Sequence, residues 1–178
     1  MSNLTANTIS LLLDTTAIGA TTPTFTAKVD VATGSQPSSN VAIGDLNGDG
    51  KLDLAVADQG PSTLSLFLDT TIAGAAAPSV APKVDFATGS TPDFVAIADL
   101  DGDSKPDLAV ANFGANTVSV LLNTTAADAT TPSVATHVDF ATGSGPRCVA
   151  IADVNGDGKP DLVVASSQSN TVSILPAQ

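Results

Sequence analysis

Val95-Ala96-Ile97-Ala98-Asp99-Leu100-Asp101-Gly102-Asp103 decides how this chain is read, because it recurs as Val41-Ala42-Ile43-Gly44-Asp45-Leu46-Asn47-Gly48-Asp49 and as Val149-Ala150-Ile151-Ala152-Asp153-Val154-Asn155-Gly156-Asp157. From Asp45 to Asp99 to Asp153 the step is 54 residues both times. A fixed period of that size means equivalent units packed on one another, since a single unit cannot bury its own apolar face.

Working outward from the phrase, each unit offers four short strand-like runs, A to D, bounded by Gly, Pro, Asn or Asp. In the middle unit they are 94–98, 108–111, 117–122 and 136–142. Run C alternates, with Val118, Val120 and Leu122 on one face and Ser119 and Leu121 on the other. Runs A and B are almost wholly apolar or small, as strands covered on both faces require. Four strands per unit is the spacing of propeller blades. The fold expected is all-β: a β-propeller of four-stranded blades, about three blades per chain. One repeat domain over 1–178 divides into a partial unit 1–39 holding C and D, repeats 40–93 and 94–147, and strands A to C in 148–178. Joining the N-terminal D to the C-terminal A-B-C set completes a third blade and leaves one C run over. Three blades are too few to close a ring, for which about four to eight are needed. The expected assembly is therefore a homodimer closing six blades, with a truncated larger propeller as the alternative.

Composition agrees. All 18 acidic residues are Asp, Glu is absent, and six Lys or Arg leave a net charge of −12. Asp favours turns and metal loops where Glu favours helices. The negative balance argues against nucleic acid, whose phosphates would be repelled. Six Phe without Trp or Tyr remove the usual platforms for stacking sugars or bases. Cys148, the single cysteine, cannot form an intrachain disulfide, and its apolar neighbours predict a small buried residue rather than a reactive thiol. No apolar stretch approaches the ~20 residues of a membrane span, so no membrane insertion is expected. No signal peptide is read at Met1-Ser2-Asn3-Leu4-Thr5. A secreted origin then requires that a leader was removed or that this is a segment of something larger.

Between A and B of every unit lies an Asp-rich loop. Asp45, Asn47, Asp49, Lys51 and Asp53 hold positions 1, 3, 5, 7 and 9 of the first; Asp99, Asp101, Asp103, Lys105 and Asp107 of the second; Asp153, Asn155, Asp157, Lys159 and Asp161 of the third. Side-chain oxygens at 1, 3, 5 and 9, the lysine's backbone carbonyl at 7 and Gly at 6 follow the logic of a calcium loop. Hard oxygen donors without His or Cys favour Ca2+, about three per chain. A tight hairpin with solvated Asp side chains would explain one such loop. Three with the same ligand spacing point to metal. Ten of the 18 acids are crowded into these loops, and three Ca2+ would take the charge from −12 to −6. Loop two departs at Ser104, which replaces the position-six Gly and is strained if φ must be positive.

The loops, preceded by Val-Ala-Ile-Ala or Val-Ala-Ile-Gly and followed by Asp-Leu-Ala-Val or Asp-Leu-Val-Val, resemble FG-GAP/VCBS repeats, the units of integrin-α-like propellers. The Phe-Gly pair itself appears at Phe113-Gly114. The resemblance implies calcium at the positions just named, rings of about seven blades, and an extracellular or cell-surface setting. The resemblance fixes no ligand; the function expected is a binding or adhesion scaffold, for which a protein or a glycan is the candidate ligand. The partner face would be built from D-to-A turns such as Ser90-Thr91-Pro92-Asp93 and Ser144-Gly145-Pro146-Arg147, and from B-to-C turns near Asp58, Asn112 and Ser166. The alternative is a purely structural, self-assembling unit with no ligand but calcium. No enzyme is expected. His137 occupies the place of Lys28 and Lys83 and joins no triad. Asp30, Asp85 and Asp139 form another equivalent series, expected to make a side-chain-to-backbone turn contact. The C-to-D connectors, such as 69–81, either cover an edge or wander.

Overall fold

The structure is a computed structural model that describes residues 2–177. It is all-β, with fourteen strands: β1 Ser2–Asn3, β2 Thr8–Leu11, β3 Val29–Ala32, β4 Pro37–Gly44, β5 Asp53–Asp58, β6 Thr63–Phe67, β7 Val84–Ala87, β8 Pro92–Ala98, β9 Asp107–Asn112, β10 Thr117–Leu121, β11 Val138–Ala141, β12 Pro146–Ala152, β13 Asp161–Ser166 and β14 Thr171–Leu175. They form four antiparallel sheets. Two are complete blades, β4-β5-β6-β7 and β8-β9-β10-β11, and two have three strands, β1-β2-β3 and β12-β13-β14.

The N-terminal runs C and D do not reach the last sheet. β2 pairs with β3, Thr8 opposite Ala32, and the two-residue β1 stands in for B beside β2. Local geometry decides this pairing. The C-to-D connectors are hairpin extensions, bridged at Asp14–Phe25, Asp69–Val80 and Asn123–Val134. Each opens with an Asx turn, in which Thr16, Thr71 and Thr125 N–H donate to Asp14, Asp69 and Asn123. Closing a short loop costs less chain entropy than joining the two ends of the molecule.

The repeat's apolar code becomes sheet-on-sheet packing. Ala55, Leu64 and Leu66 of the second sheet meet Val95, Leu108, Val110 and Leu121 of the third. One period later, Ala109, Ala111 and Val118 of the third meet Val149, Leu162 and Val164 of the fourth. Ile9 of the first meets Leu54, Val56 and Phe67 of the second. B strands β5 and β9 are buried throughout, sandwiched between neighbouring sheets. Each A strand begins at a proline and carries a bulge, as at Pro37/Val41 and Pro92/Phe94, where the missing N–H spares a ladder bond.

Cys148 is exposed, against expectation. It lies on the outward face of the last sheet, one period beyond Phe94, which packs against the fourth sheet. Its equivalents in the inner sheets, Asn40 and Phe94, are half-buried because a further sheet lies over them. On the same face Val172 is 63% and Ile174 58% exposed, whereas Val118, the equivalent of Val172, is 0% exposed.

Candidate metal centre

The three A-to-B loops share one backbone design. The position-one Asp accepts N–H bonds from positions four and six: Asp45 from Gly48 (2.7 Å) and Gly50 (2.9 Å), Asp99 from Gly102 and Ser104, Asp153 from Gly156 and Gly158. Position three accepts from the amide of position five, and position five from that of position seven. Successive Asx turns thus wind the loop around its own oxygens. Positions four and six both take positive φ. At position six Gly50 and Gly158 do so without steric cost, and Ser104 follows them at φ 68°. The expected strain is present, on the order of 1 kcal/mol.

Position nine does a second job. Asp53 Oδ2 accepts from Leu46 N–H at 2.8 Å and Oδ1 from Asp69 N–H at 2.7 Å. Asp107 does the same for Leu100 and Asn123, and Asp161 for Val154 and Ala177. These fully buried carboxylates staple the start of the loop to the end of strand C. Burial pushes the Asp53 and Asp107 carboxyls up from the usual carboxylate range, aided by neighbouring loop acids and opposed by those amides. The outer acids behave oppositely. The Lys51 amide holds Asp49 low, and the Gly158 and Gly156 amides hold Asp153 low.

In loop two, carboxylate oxygens of Asp99, Asp101 and Asp107 lie within 4.8 Å of one another. It is the one such convergence of three acids among the described residues. Asp103 stands outside it, and its carboxylate faces the Lys105 ammonium at 3.8 Å. Loops one and three carry Asn at position three. Asn47 donates from Nδ2 to Ala129 O at 2.9 Å, which leaves Oδ1 toward its own loop. That bond comes from the 123–135 connector, which folds over loop one through Asp128 N–H to Asn47 O and Asn123 Nδ2 to Leu46 O. The connector therefore covers an edge, and loop one is the most enclosed of the three. An all-oxygen donor set of carboxylates, one amide oxygen and a backbone carbonyl suits a hard divalent cation of calcium's size.

The other series falls elsewhere. Asp30, Asp85 and Asp139 do not bind backbone. They accept the hydroxyls of Ser10, Ser65 and Ser119 on strand C, beside Lys28, Lys83 and His137. Twenty residues separate each pair in sequence, so only strand pairing reveals the contact. At the end of the strands opposite the metal loops, D-to-A and B-to-C turns bond to each other, as Phe113 N–H to Thr91 O and Gln59 N–H to Gln36 O. There Arg147 covers the Phe113 ring at 4.1 Å and pairs with Asp93 at 3.0 Å.

Stacked four-stranded sheets with an Asp loop at each A-to-B corner define a repeat protein of the propeller-blade class. The FG-GAP-like repeat family matches at residues 45–110 and 99–164, about two thirds of the sequence together, and the chain belongs to that family. Such repeats build β-propeller-type binding scaffolds, a non-enzymatic class. No curated protein matches the chain. No helix among the described residues is long and apolar enough to cross a membrane.

Proposed function

We propose that this chain is a calcium-stabilised propeller scaffold that binds about three Ca2+, one per A-to-B loop, and presents its turn face to a protein or glycan outside the cell. The observation that carries the reading is the loop design repeated three times, with Asp99, Asp101 and Asp107 converging in the second. Asp45, Asn47, Asp49 and Asp53, with the Lys51 carbonyl, hold the first ion. Asp99, Asp101, Asp103 and Asp107, with the Lys105 carbonyl, hold the second; Asp153, Asn155, Asp157 and Asp161, with the Lys159 carbonyl, hold the third. The ion draws Asp103 inward and displaces the Lys105 ammonium, an exposed pair worth at most about 1 kcal/mol. Titration calorimetry of EGTA-treated protein tests the assignment. Three ions per chain are expected, and an absence of binding heat at millimolar Ca2+ overturns it.

A second reading, self-assembly through the two end sheets, has its own support. Val172 and Ile174 stand open where inner sheets are covered. At the other end, a groove of about 770 Å3 lined by Leu12, Val41, Ile43 and Leu54 lies between the first and second sheets, where the first sheet has only the two-residue β1 beside β2. Two copies closing end to end cover both. Light scattering with and without chelator should give twice the 17.5 kDa chain mass in calcium. A single-chain mass at micromolar concentration sinks this reading and leaves the calcium assignment standing.

A further inference from the structure

The outer half of the sheets carries a polar ladder that runs in one direction. In the third sheet Asn112 Nδ2 donates to Ser119 Oγ at 2.7 Å, and Ser119 donates to Asp139 Oδ1 at 2.5 Å. In the first sheet Asn3 Nδ2 donates to Ser10 Oγ at 2.9 Å, and Ser10 donates to Asp30 Oδ1 at 2.6 Å. Each rung passes one proton toward a carboxylate that sits beside a basic side chain.

The second sheet breaks the chemistry while keeping the geometry. Asp58 stands where the first and third sheets have Asn, and Ser65 Oγ lies 2.5 Å from Asp58 Oδ2 and 2.6 Å from Asp85 Oδ1. A hydroxyl has one proton and cannot donate to two carboxylates. One of the acids must bring its own. Asp85 is held by the Lys83 ammonium, which also reaches Ser65 at 3.3 Å. Asp58 touches no cation, is 0% exposed, and its Oδ1 has no hydrogen-bond partner. We propose that Asp58 is kept as the neutral acid, donating to Ser65 as Asn3 and Asn112 donate to their serines, so that the second sheet contains a buried proton-binding site.

The surroundings make that site a switch. Asp85 and Lys83 are the titratable groups facing Asp58 across Ser65. The turn Thr33–Gln36 and residues Pro37–Ser38, which pack against it, bring no others. Burial raises the Asp58 carboxyl, opposed by the Ser65 hydroxyl, the Gly34 amide and Lys83, and aided by the Asp85 charge. Gly34 lies so close that an added Cβ would come 2.6 Å from the Asp58 Cγ. Ionisation therefore places a buried charge against the D-to-A turn, met by the Gly34 amide and the Ser65 hydroxyl but by no cation in contact, with little room for water.

A folded-state value above the unfolded one means the stabilisation is complete below the ordinary Asp range, near pH ~4, and is lost as pH rises through the raised value. The test uses calcium-saturated full chain, wild type and Asp58→Asn. The variant reproduces the residue of the first and third sheets and is expected to fold. In wild type the Asp58 carboxyl carbon, assigned by its loss in the variant, should still hold the chemical shift of the acid at a pH where the surface Asp are already ionised. The wild-type folding equilibrium constant should fall relative to the variant by up to about tenfold per pH unit across the titration. An Asp58 signal titrating near pH ~4, an Asp85 signal showing the raised value instead, or parallel pH profiles for the two proteins would overturn the proposal.

Discussion

Calcium added back to EGTA-stripped protein is expected to raise the melting temperature by about 15 to 30 °C. The magnitude follows from linkage. An ion at a hundred times its dissociation constant stabilises by about 2.7 kcal/mol, and three sites by about 8. A chain of this length shifts by roughly 2 to 4 °C per kcal/mol. Each loop is wound on its own amides, which aim its oxygens at the place calcium would fill. The ion's gain is the removal of repulsion among ten carboxylates held in three short corners. Because the position-nine acids are anchored in the core, relief at the corner is transmitted to the sheet. Magnesium should give a smaller shift, since it keeps its waters in preference to a protein cage. An unchanged melting temperature in millimolar calcium would remove the basis of the functional reading.

The architecture was legible because the constraints on it are local. Alternation at Val118, Ser119 and Val120 marks strand C as a strand and puts Val118 and Val120 on one face with Ser119 on the other, and the Asp spacing fixes the loop. What the sequence hid depends on neighbours in space. Cys148 has the flanking residues of a buried position, yet its exposure is set by its sheet being last in the stack. Asp30, Asp85 and Asp139 read as turn residues, while their serine partners lie a whole hairpin away. Asp58 looked like one variable turn residue among three, and its conflict with Asp85 exists only once both meet Ser65. From spacing alone the position-nine acids are ligands and nothing more. Their staple to strand C needs the amides of Asp69, Asn123 and Ala177, sixteen residues downstream.

That staple sets the second large effect. Asp107→Ala should cost roughly 2 to 6 kcal/mol of stability in EGTA, before any metal is involved, because it leaves the Leu100 and Asn123 amides without their acceptor at about 1 to 3 kcal/mol each. Asp103→Ala removes an exposed carboxylate whose one backbone bond lies within its own turn. It should cost under about 1 kcal/mol in EGTA and show its loss only when calcium is supplied. Asp107→Asn falls between the two, since its single amide oxygen can accept one of the two N–H groups while its NH2 opposes the other. Urea denaturation of the three variants, each with calcium and with EGTA, separates a residue that only binds metal from one that also holds the sheet together. If Asp107→Ala matched Asp103→Ala in EGTA, the amides of Leu100 and Asn123 would have to find acceptors elsewhere, and the link from metal loop to core would be broken.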